Sequence, residues 1–332
     1  MLPSLSFIAS RLRLKHIRLL VAIDDEGSIL RAAKQVALSQ PGATKALQEI
    51  EEALGETLFV RTNRGLNPNE LGDCVIRYAR LIYTDLAHLR EEMAGIMEGY
   101  GGRVSIGMIM GAVPAASEMI TKLMAKQPAL SVQIVEDTSA RLLQLLDDGR
   151  LDLAVCRPGI SHHREAYESI KVREEQLAVV ANIANPLATM NGLGLTELAH
   201  CPWIVYSANM PMRRYLEREF HELGLEFPTG LVETTSAFAT LSLIHRNPAM
   251  VALMASDVAA FFQRFQMVSV LPLHLRSRSD PYHLVMRRDR TLSPAAQMLA
   301  EAFIRDPGAG ETPGDQPGPA PFLGAGVAAF PA

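Results

Sequence analysis

Apolar residues recur at helical spacing between Leu14 and Asp24, at Ile17, Leu19, Leu20, Val21 and Ile23, and predict a first helix. Gly27 ends it, and Ser28 is placed to cap a second helix running through Val36. Leu38 and Ser39 form a turn, and Pro41 fits the first position of a third helix that stops at Gly55. From Leu58 to Leu66 the pattern becomes two short strands around Asn63-Arg64-Gly65, a hairpin wing. Asn67 as cap, Pro68 at the first position and Glu70 at the third open a long helix reaching about Gly99. Its apolar or small residues fall at Val75, Ala79, Ile82, Leu86, Leu89, Met93 and Ile96. Steps of four and three make a heptad seam, suited to a second copy of the helix.

Beyond Tyr100-Gly101-Gly102, a hinge, the period changes. Strands are predicted at Val104–Ile109, Val132–Glu136, Leu151–Cys156, Leu177–Asn182, Trp203–Tyr206, Leu231–Thr234, Met250–Leu253 and Tyr282–Met286. Helices lie between them at Pro114–Lys126, Ser139–Asp148 (capped by Ser139), Pro211–Leu223, Ala237–Arg246 and Pro294–Ile304. Such alternation implies parallel sheets covered by helices, here as two similar α/β halves with a cleft between them. The last 27 residues, Asp306–Ala332, include six Pro and six Gly and predict a disordered tail. The expected division is 13–70, 71–99, 103–305 and 306–332.

Charge sharpens the first region. The formal net charge is −4, so no global field draws the chain to nucleic acid, and DNA affinity needs a local patch. From Gly27 to Gln48 there is no acid, only Arg31, Lys34 and Lys45; Asp24, Asp25 and Glu26 precede the stretch, and Glu49, Glu51 and Glu52 follow it. A surface free of negative charge is what a phosphate-lined groove requires. Cys74, Cys156 and Cys201 are odd in number and widely spaced, which argues against a disulfide framework and for reduced thiols. No signal segment or bilayer-spanning run is read, so a cytoplasmic protein without membrane contact is expected.

Ala32-Ala33 suits a close crossing of two helices. Gln40, Thr44, Lys45 and Gln48 project from neighbouring turns of one helix side. Gln reads adenine bidentately, and Thr and Lys reach bases or phosphates. Arg64 at the hairpin tip suits a groove contact, and Arg61 is either a phosphate contact or structural. His162-His163 does not make a metal site, since adjacent residues rarely address one ion, and no cofactor is expected. Cys156 and Cys201 read as buried thiols rather than redox sensors.

These residues resemble the LysR-type transcriptional regulators. That family reads Gly-Ser-x-x-x-Ala-Ala, Ser-Gln-Pro-Ala, Leu-Glu-x-x-Leu-Gly-x-x-Leu-Phe-x-Arg and Leu-Thr-x-x-Gly. The matches are Gly27, Ser28, Ala32, Ala33, Ser39, Gln40, Pro41, Leu54, Gly55, Leu58, Phe59, Arg61 and Arg64, and the likeness extends from about 13 to 305. Departures are Gly42-Ala43 for Ala-Leu, Thr44 and Lys45 where Ser and Arg are frequent, and Ile50 for Leu. Asn67 stands for the Thr before the long helix, and Gly72 one residue late. Asn185-Pro186-Leu187-Ala188, Cys201-Pro202-Trp203-Ile204 and Val232-Glu233-Thr234-Thr235-Ser236 are similar to the branch with galactose- and aromatic-acid-responsive members. The resemblance implies a winged helix-turn-helix, a dimerising linker helix, a tetramer on promoter DNA, RNA polymerase as a further partner, and a two-lobed effector domain like periplasmic binding proteins. The expected DNA-binding residues are Ser28, Arg31, Ser39, Gln40, Pro41, Thr44, Lys45, Gln48, Arg61 and Arg64.

Ligands of two-lobed α/β bodies lie at strand carboxyl ends, where helix N-termini favour anions. The candidates there are Met110, Gly111, Ala112, Thr138, Ser139, Ser207, Thr234, Thr235 and Ser236, for a small-molecule effector, a carboxylate or sugar-like metabolite. Two rival classes are a solute-binding protein of transport, which residues 14–70 disfavour, and an enzyme. The sequence has no Gly-rich phosphate loop and no Gly-x-Ser-x-Gly elbow, so no turnover is expected.

Overall fold

A computed structural model describes residues 3–62, 65–98, 102–161, 163–208, 210–277 and 279–305. Arg64, His162 and the expected tail 306–332 lie outside the described residues, as does part of the hinge.

The N-terminal region contains α1 (Leu5–Arg11), α2 (Leu14–Glu26), α3 (Ile29–Gln35) and α4 (Gln40–Leu54). The wing follows as β1 (Phe59–Thr62) and β2 (Gly65–Pro68). α1 was not expected. Ser4 caps it, none of its residues is buried, and it rests on α4. Gly27 takes φ +58 to close α2, a left-handed turn for which glycine carries no steric penalty. Its carbonyl then accepts the N–H of Leu66 at 3.1 Å. The same oxygen lies where a side chain at Gly65 (φ +126) would stand, so the two glycines let the wing close onto the helix-turn-helix. Ala32 and Ala33 are buried against α2 and α4, among Leu19, Leu20, Ile23, Leu47 and Ile50. Pro41 falls at the second helical position and not the first, because Gln40 opens α4 with Ser39 as its cap.

The long helix α5 (Glu70–Glu98) corrects the expected start. Asn67 and Pro68 belong to β2, pairing with Val60 and Phe59. The capping residue is Asn69: its Oδ1 accepts the N–H of Gly72 at 2.9 Å, its Nδ2 donates to the Thr57 carbonyl at 2.8 Å, and its N–H donates to the Leu58 carbonyl at 2.9 Å. Counted from Asn69, Gly72 has ordinary spacing, and the supposed late glycine was an error of register. The first turns of α5 pack on α2, burying Ile76 and Ala79. Farther along, Ile82, Leu86, Leu89 and Met93 are exposed.

The C-terminal region forms two five-stranded sheets. The first uses β3 (Arg103–Met108), β4 (Ser131–Glu136), β5 (Leu153–Cys156), β6 (Tyr167–Arg173) and β12 (Tyr282–Arg287), in the order β4-β3-β5-β12-β6. Helices α6 (Val113–Lys126), α7 (Ser139–Asp147) and α12 (Pro294–Arg305) complete its core. The second uses β7 (Leu177–Ala181), β8 (Trp203–Val205), β9 (Val232–Glu233), β10 (Val251–Ala255) and β11 (Ser269–Val270), in the order β11-β7-β10-β8-β9. It is accompanied by α8 (Leu195–Leu198), α9 (Pro211–Glu222), α10 (Ala237–Arg246) and α11 (Ser256–Arg264).

Two expectations are corrected. The sheets are mixed: β3 runs parallel to β4 and β5, but β12 is antiparallel to β5 and β6. β10 is likewise parallel to β8 and antiparallel to β7. The lobes are also not successive halves, because β12 and α12 return to the first lobe. The chain therefore crosses between lobes twice, after β6 and before β12. α5 lies against the first lobe, where Arg290 donates to the Leu81 carbonyl at 3.0 Å and pairs with Asp85 at 2.8 Å. His88 meets Asp152 at 3.2 Å.

Candidate nucleic-acid interface and effector cleft

α4 is two-faced. Ala43, Ala46, Leu47, Ile50 and Ala53 are buried, while Gln40, Pro41, Lys45 and Gln48 are exposed and Thr44 is half-buried. Ser39 spends its oxygen on the Gly42 N–H at 3.2 Å, the ordinary N-cap bond. Thr44 donates its hydroxyl to the Gln40 carbonyl at 3.0 Å, which leaves its methyl and lone pairs outward. Ser28 caps α3 by position without a side-chain bond, so its hydroxyl stays uncommitted. Arg61 is exposed on β1.

Of the acids flanking this acid-free stretch, all but the exposed Glu52 have structural work. Arg80 of α5 bridges Asp24 at 2.5 Å and Asp25 at 2.6 Å, and those carboxylates hold its guanidinium above the usual arginine range against the opposing effect of burial. Glu51 accepts the Leu58 N–H at 2.8 Å and so fixes the start of the wing. Glu49 faces the buried His16 at 3.5 Å. Glu26 holds Arg31 through both its carboxylate, at 2.9 Å, and its backbone carbonyl. Arg31 is thus partly neutralised, whereas Lys45 is exposed and unpaired among the described residues.

In the C-terminal region, a narrow cleft with a cavity volume of about 10 Å³ lies at the carboxyl ends of β8 and β10. Of the expected residues it gathers Met110, Thr234, Thr235 and Ser236; to these it adds Tyr206, Ala237 and Thr240, over Ile204, Leu253 and Met254. Thr234 accepts the Ser236 N–H at 3.1 Å, and Ser236 accepts the Ala239 N–H at 3.2 Å. Each hydroxyl keeps its proton to donate toward the cleft, and the start of α10 offers free N–H groups there. No charged side chain lines this space. Thr240 escaped the sequence reading, although its place one turn after Ser236 on α10 was a usable signal.

The other candidates are elsewhere. Thr138, not Ser139, caps α7, accepting the Arg141 N–H at 3.4 Å. Ser139 accepts the Arg157 N–H at 3.2 Å. Ser207, half-buried after β8, is not among the residues lining the cleft. Ala112 is buried in the first lobe's core.

Gly111 reaches the second lobe, where the Glu175 carboxylate occupies the place a side chain on Gly111 would need. Glu175 sits on the first inter-lobe crossing. It is buried, pairs through one oxygen with Arg157 at the end of β5, and leaves the other oxygen unbonded. Burial pushes its carboxyl above the usual carboxylate range, and Arg157 opposes that shift. Arg157 also donates to the Asp280 carbonyl at 3.0 Å on the second crossing, so one arginine ties both crossings to the first lobe. Nothing in the sequence flagged this pair, since Glu174-Glu175 reads as solvated charge.

The three cysteines are free, and burial pushes the Cys156 thiol up to about 12. Among the described residues no cluster could hold a metal ion, and no helix is long and apolar enough to cross a membrane.

Comparisons with known proteins agree with this arrangement. Residues 14–73 match the family of bacterial regulatory helix-turn-helix proteins, lysR family, and residues 98–306 match the LysR substrate binding domain. The chain is 32% identical over 303 residues to the HTH-type transcriptional regulator GbpR of Azospirillum brasilense, covering 91% of this chain and 88% of that protein. It is 26% identical over 307 residues to the regulator PcaQ of Agrobacterium fabrum, covering 89% and 95%. In fold it is similar to full-length CbnR in complex with its target DNA, with a TM-score of 0.62 at 18% identity, over 89% of this chain and 99% of that one.

Proposed function

The chain belongs to the LysR family of DNA-binding transcriptional regulators, and from that premise we propose that it reads promoter DNA through α4 and answers a small molecule held at the start of α10. The observation that carries this reading is the outward side of α4. Gln40, Lys45 and Gln48 are exposed there, while the neighbouring acids other than Glu52 turn to Arg80, Arg31, His16 and the Leu58 N–H. Gln40 and Gln48 supply paired donors and acceptors for base edges, and Lys45 a phosphate contact. Ser28, Ser39, Pro41 and Thr44 set the approach, Arg61 contacts the backbone beside the wing, and Arg64 reaches for the groove next to it.

The exposed stripe Ile82, Leu86, Leu89 and Met93 supports pairing of α5 with a second copy, and a tetramer made of two such dimers would place two arms on DNA. The cleft, with hydroxyls on one side and Met110, Leu253 and Met254 on the other, has the lining for an effector bearing a carboxylate or sugar-like end and an apolar body, and widens to admit it. Its binding energy differs between two lobe arrangements, and that difference shifts their populations and with them the spacing of the DNA-binding arms. Regulators of this kind act in the cytoplasm, on a promoter read by RNA polymerase, and catalyse no turnover.

The test is a DNase I footprint on the DNA upstream of its own gene. Protection of a long, partly palindromic region, lost on combining Gln40→Ala with Lys45→Ala, supports the reading. Protection that survives both changes refutes the assignment of α4.

A further inference from the structure

Past residue 306, where the match to the shared effector domain ends, the composition of the chain changes partway. Residues 306–320 hold four Pro, four Gly and the acids Asp306, Glu311 and Asp315, with no base; this is the make-up of a linker. Residues 321–332 carry no charged and no hydrogen-bonding side chain, and they include Phe322, Leu323, Val327 and Phe330. Segments that remain unfolded are poor in apolar residues and rich in charge. This one is the reverse, and its rings gain by leaving water.

The second lobe has a surface of matching character. Of its two clusters of aromatic rings, one lies inside: Trp203 and Phe220 are buried, and Phe227 packs edge-on against Phe220. The other faces out. Phe261 of α11 and Phe265, just past its end, touch with ring centres 4.9 Å apart, yet stay 46% and 56% exposed. Gln266 then turns left-handed (φ +57), and the Met267 N–H returns to the Phe262 carbonyl at 2.9 Å, a helix ending that sets residue 267 back against the last turn. Met267 is itself exposed, so three large apolar side chains stand together in water, unlike the single ones that any surface tolerates. Beside them Arg264 is exposed, with no ion-pair partner among the described residues. The acid of α11, Asp257, is taken by Arg173.

This surface is within reach of the tail. α6 packs against both α11 and α12, from which the tail leaves. α12 also rests on β6, whose Arg173 bonds Asp257 of α11 at 3.0 Å. Two helix-to-helix spacings come to about 20 Å, and the length of α11 adds about 13 Å. The fifteen residues 306–320 average about 20 Å from end to end and extend to about 50 Å.

We propose that residues 321–332 dock on the surface made by Phe261, Phe265 and Met267 of the same chain, with the linker acids passing Arg264. A tether of this length holds the segment at an effective concentration of roughly millimolar, so modest apolar contact is enough to keep it seated. The docked tail joins the lobes, leaving the first at α12 and held by the second at α11. This proposal is independent of how α4 reads DNA.

The test is photo-cross-linking of the full chain with p-benzoylphenylalanine in place of Phe330. Assemblies are formed from an equal mixture of ordinary and heavy-isotope chains, native mass spectrometry confirms that they are mixed, and cross-linked peptides are mapped after irradiation. The expected link joins the label to residues 261–267, with both peptides of one isotope. Mixed-isotope pairs at those residues would place the tail on a second copy and overturn docking within the chain. Links elsewhere, or none, would overturn the surface, as they would if it serves another protein. Phe322→Ser combined with Leu323→Ser lies outside the folded lobes and is expected to abolish the link; so is Phe261→Ser combined with Phe265→Ser, provided melting is unaltered. A link that survives the tail pair shows that the label alone seeks out α11, and the proposal fails.

Discussion

Replacing Gly72 by alanine sets two physical effects against each other. On helix propensity alone the change stabilises, by about 0.8–1 kcal/mol. Geometry opposes it: the new methyl would stand on the Leu58 carbonyl oxygen, 3.1 Å from the carbon of that group and 3.0 Å from Pro68 Cβ. The obstacle is backbone, so relief requires the first turn of α5 to lift from the entry to the wing. Lifting it stretches the Asn69 N–H bond to Leu58 at 2.9 Å and the Asn69 bond to the Thr57 carbonyl at 2.8 Å. Two such bonds are worth about 1–3 kcal/mol together, and crowding adds about 1 kcal/mol or more. The net expectation is a loss of about 1–3 kcal/mol for the DNA-binding region. That lowers its melting transition by roughly 5–25 °C for a unit of this size. Differential scanning calorimetry of the full chain reads this directly, with Asn69→Ala as the comparison that removes the cap and leaves the glycine. A Gly72→Ala protein as stable as the parent, or more so, would refute the close approach and leave propensity as the whole effect.

Further expectations concern the other regions. Exchanging Leu86 and Leu89 for Glu places charges on the exposed stripe of α5 and should lower the mass of the assembly at least twofold in sedimentation velocity; an unchanged mass rules out the seam. His16 is buried, and burial lowers its pKa, so the folded chain binds fewer protons than the unfolded one. Stability is therefore present above the ordinary histidine pKa of about 6.5 and is lost as pH falls below it toward the lowered value; melting the parent and His16→Gln at pH 7.5 and 5.5 should show a smaller pH effect in the variant. Gly111→Ala drives a methyl into the Glu175 carboxylate and prises it from Arg157, costing the effector domain about 3 kcal/mol in urea titrations. A cost that simply adds to that of Glu175→Gln would mean the two positions do not touch. Ser236→Ala should weaken any effector response and leave the footprint in place, whereas loss of the footprint would make Ser236 a structural residue only.

The helix-turn-helix was legible because its boundaries are set by local chemistry: Gly27 and Gly55 in left-handed turns, Ser39 as a cap, Ala32-Ala33 at a crossing. The start of α5 misled because Asn67-Pro68-Asn69-Glu70 holds two eligible caps, and strand pairing of Asn67 and Pro68 across the wing, a non-local effect, chose the second. α1 left no trace in hydrophobic periodicity, as a helix that buries nothing does not display one. β6 alternates weakly because it is an edge strand, and the antiparallel entry of β12 is a matter of chain path, which no residue type announces. In the cleft the hydroxyls Thr234 and Ser236 were visible from their place at a strand–helix junction. Glu175 was not, since its burial depends on Arg157 and on two chain crossings brought together only by the fold.

The return of β12 and α12 to the first lobe has a consequence for the order in which the molecule can be built. The second lobe occupies one unbroken stretch and has every strand it needs once β11 has left the ribosome. The first lobe begins earlier but finishes later: β12 stands between β5 and β6, and until it arrives β6 has no neighbour to pair with. The lobe made first thus waits, open along its middle, for the last strand synthesised. A chain ending before Tyr282 would keep its DNA-binding head and a foldable second lobe, yet lack the lobe against which α5 rests.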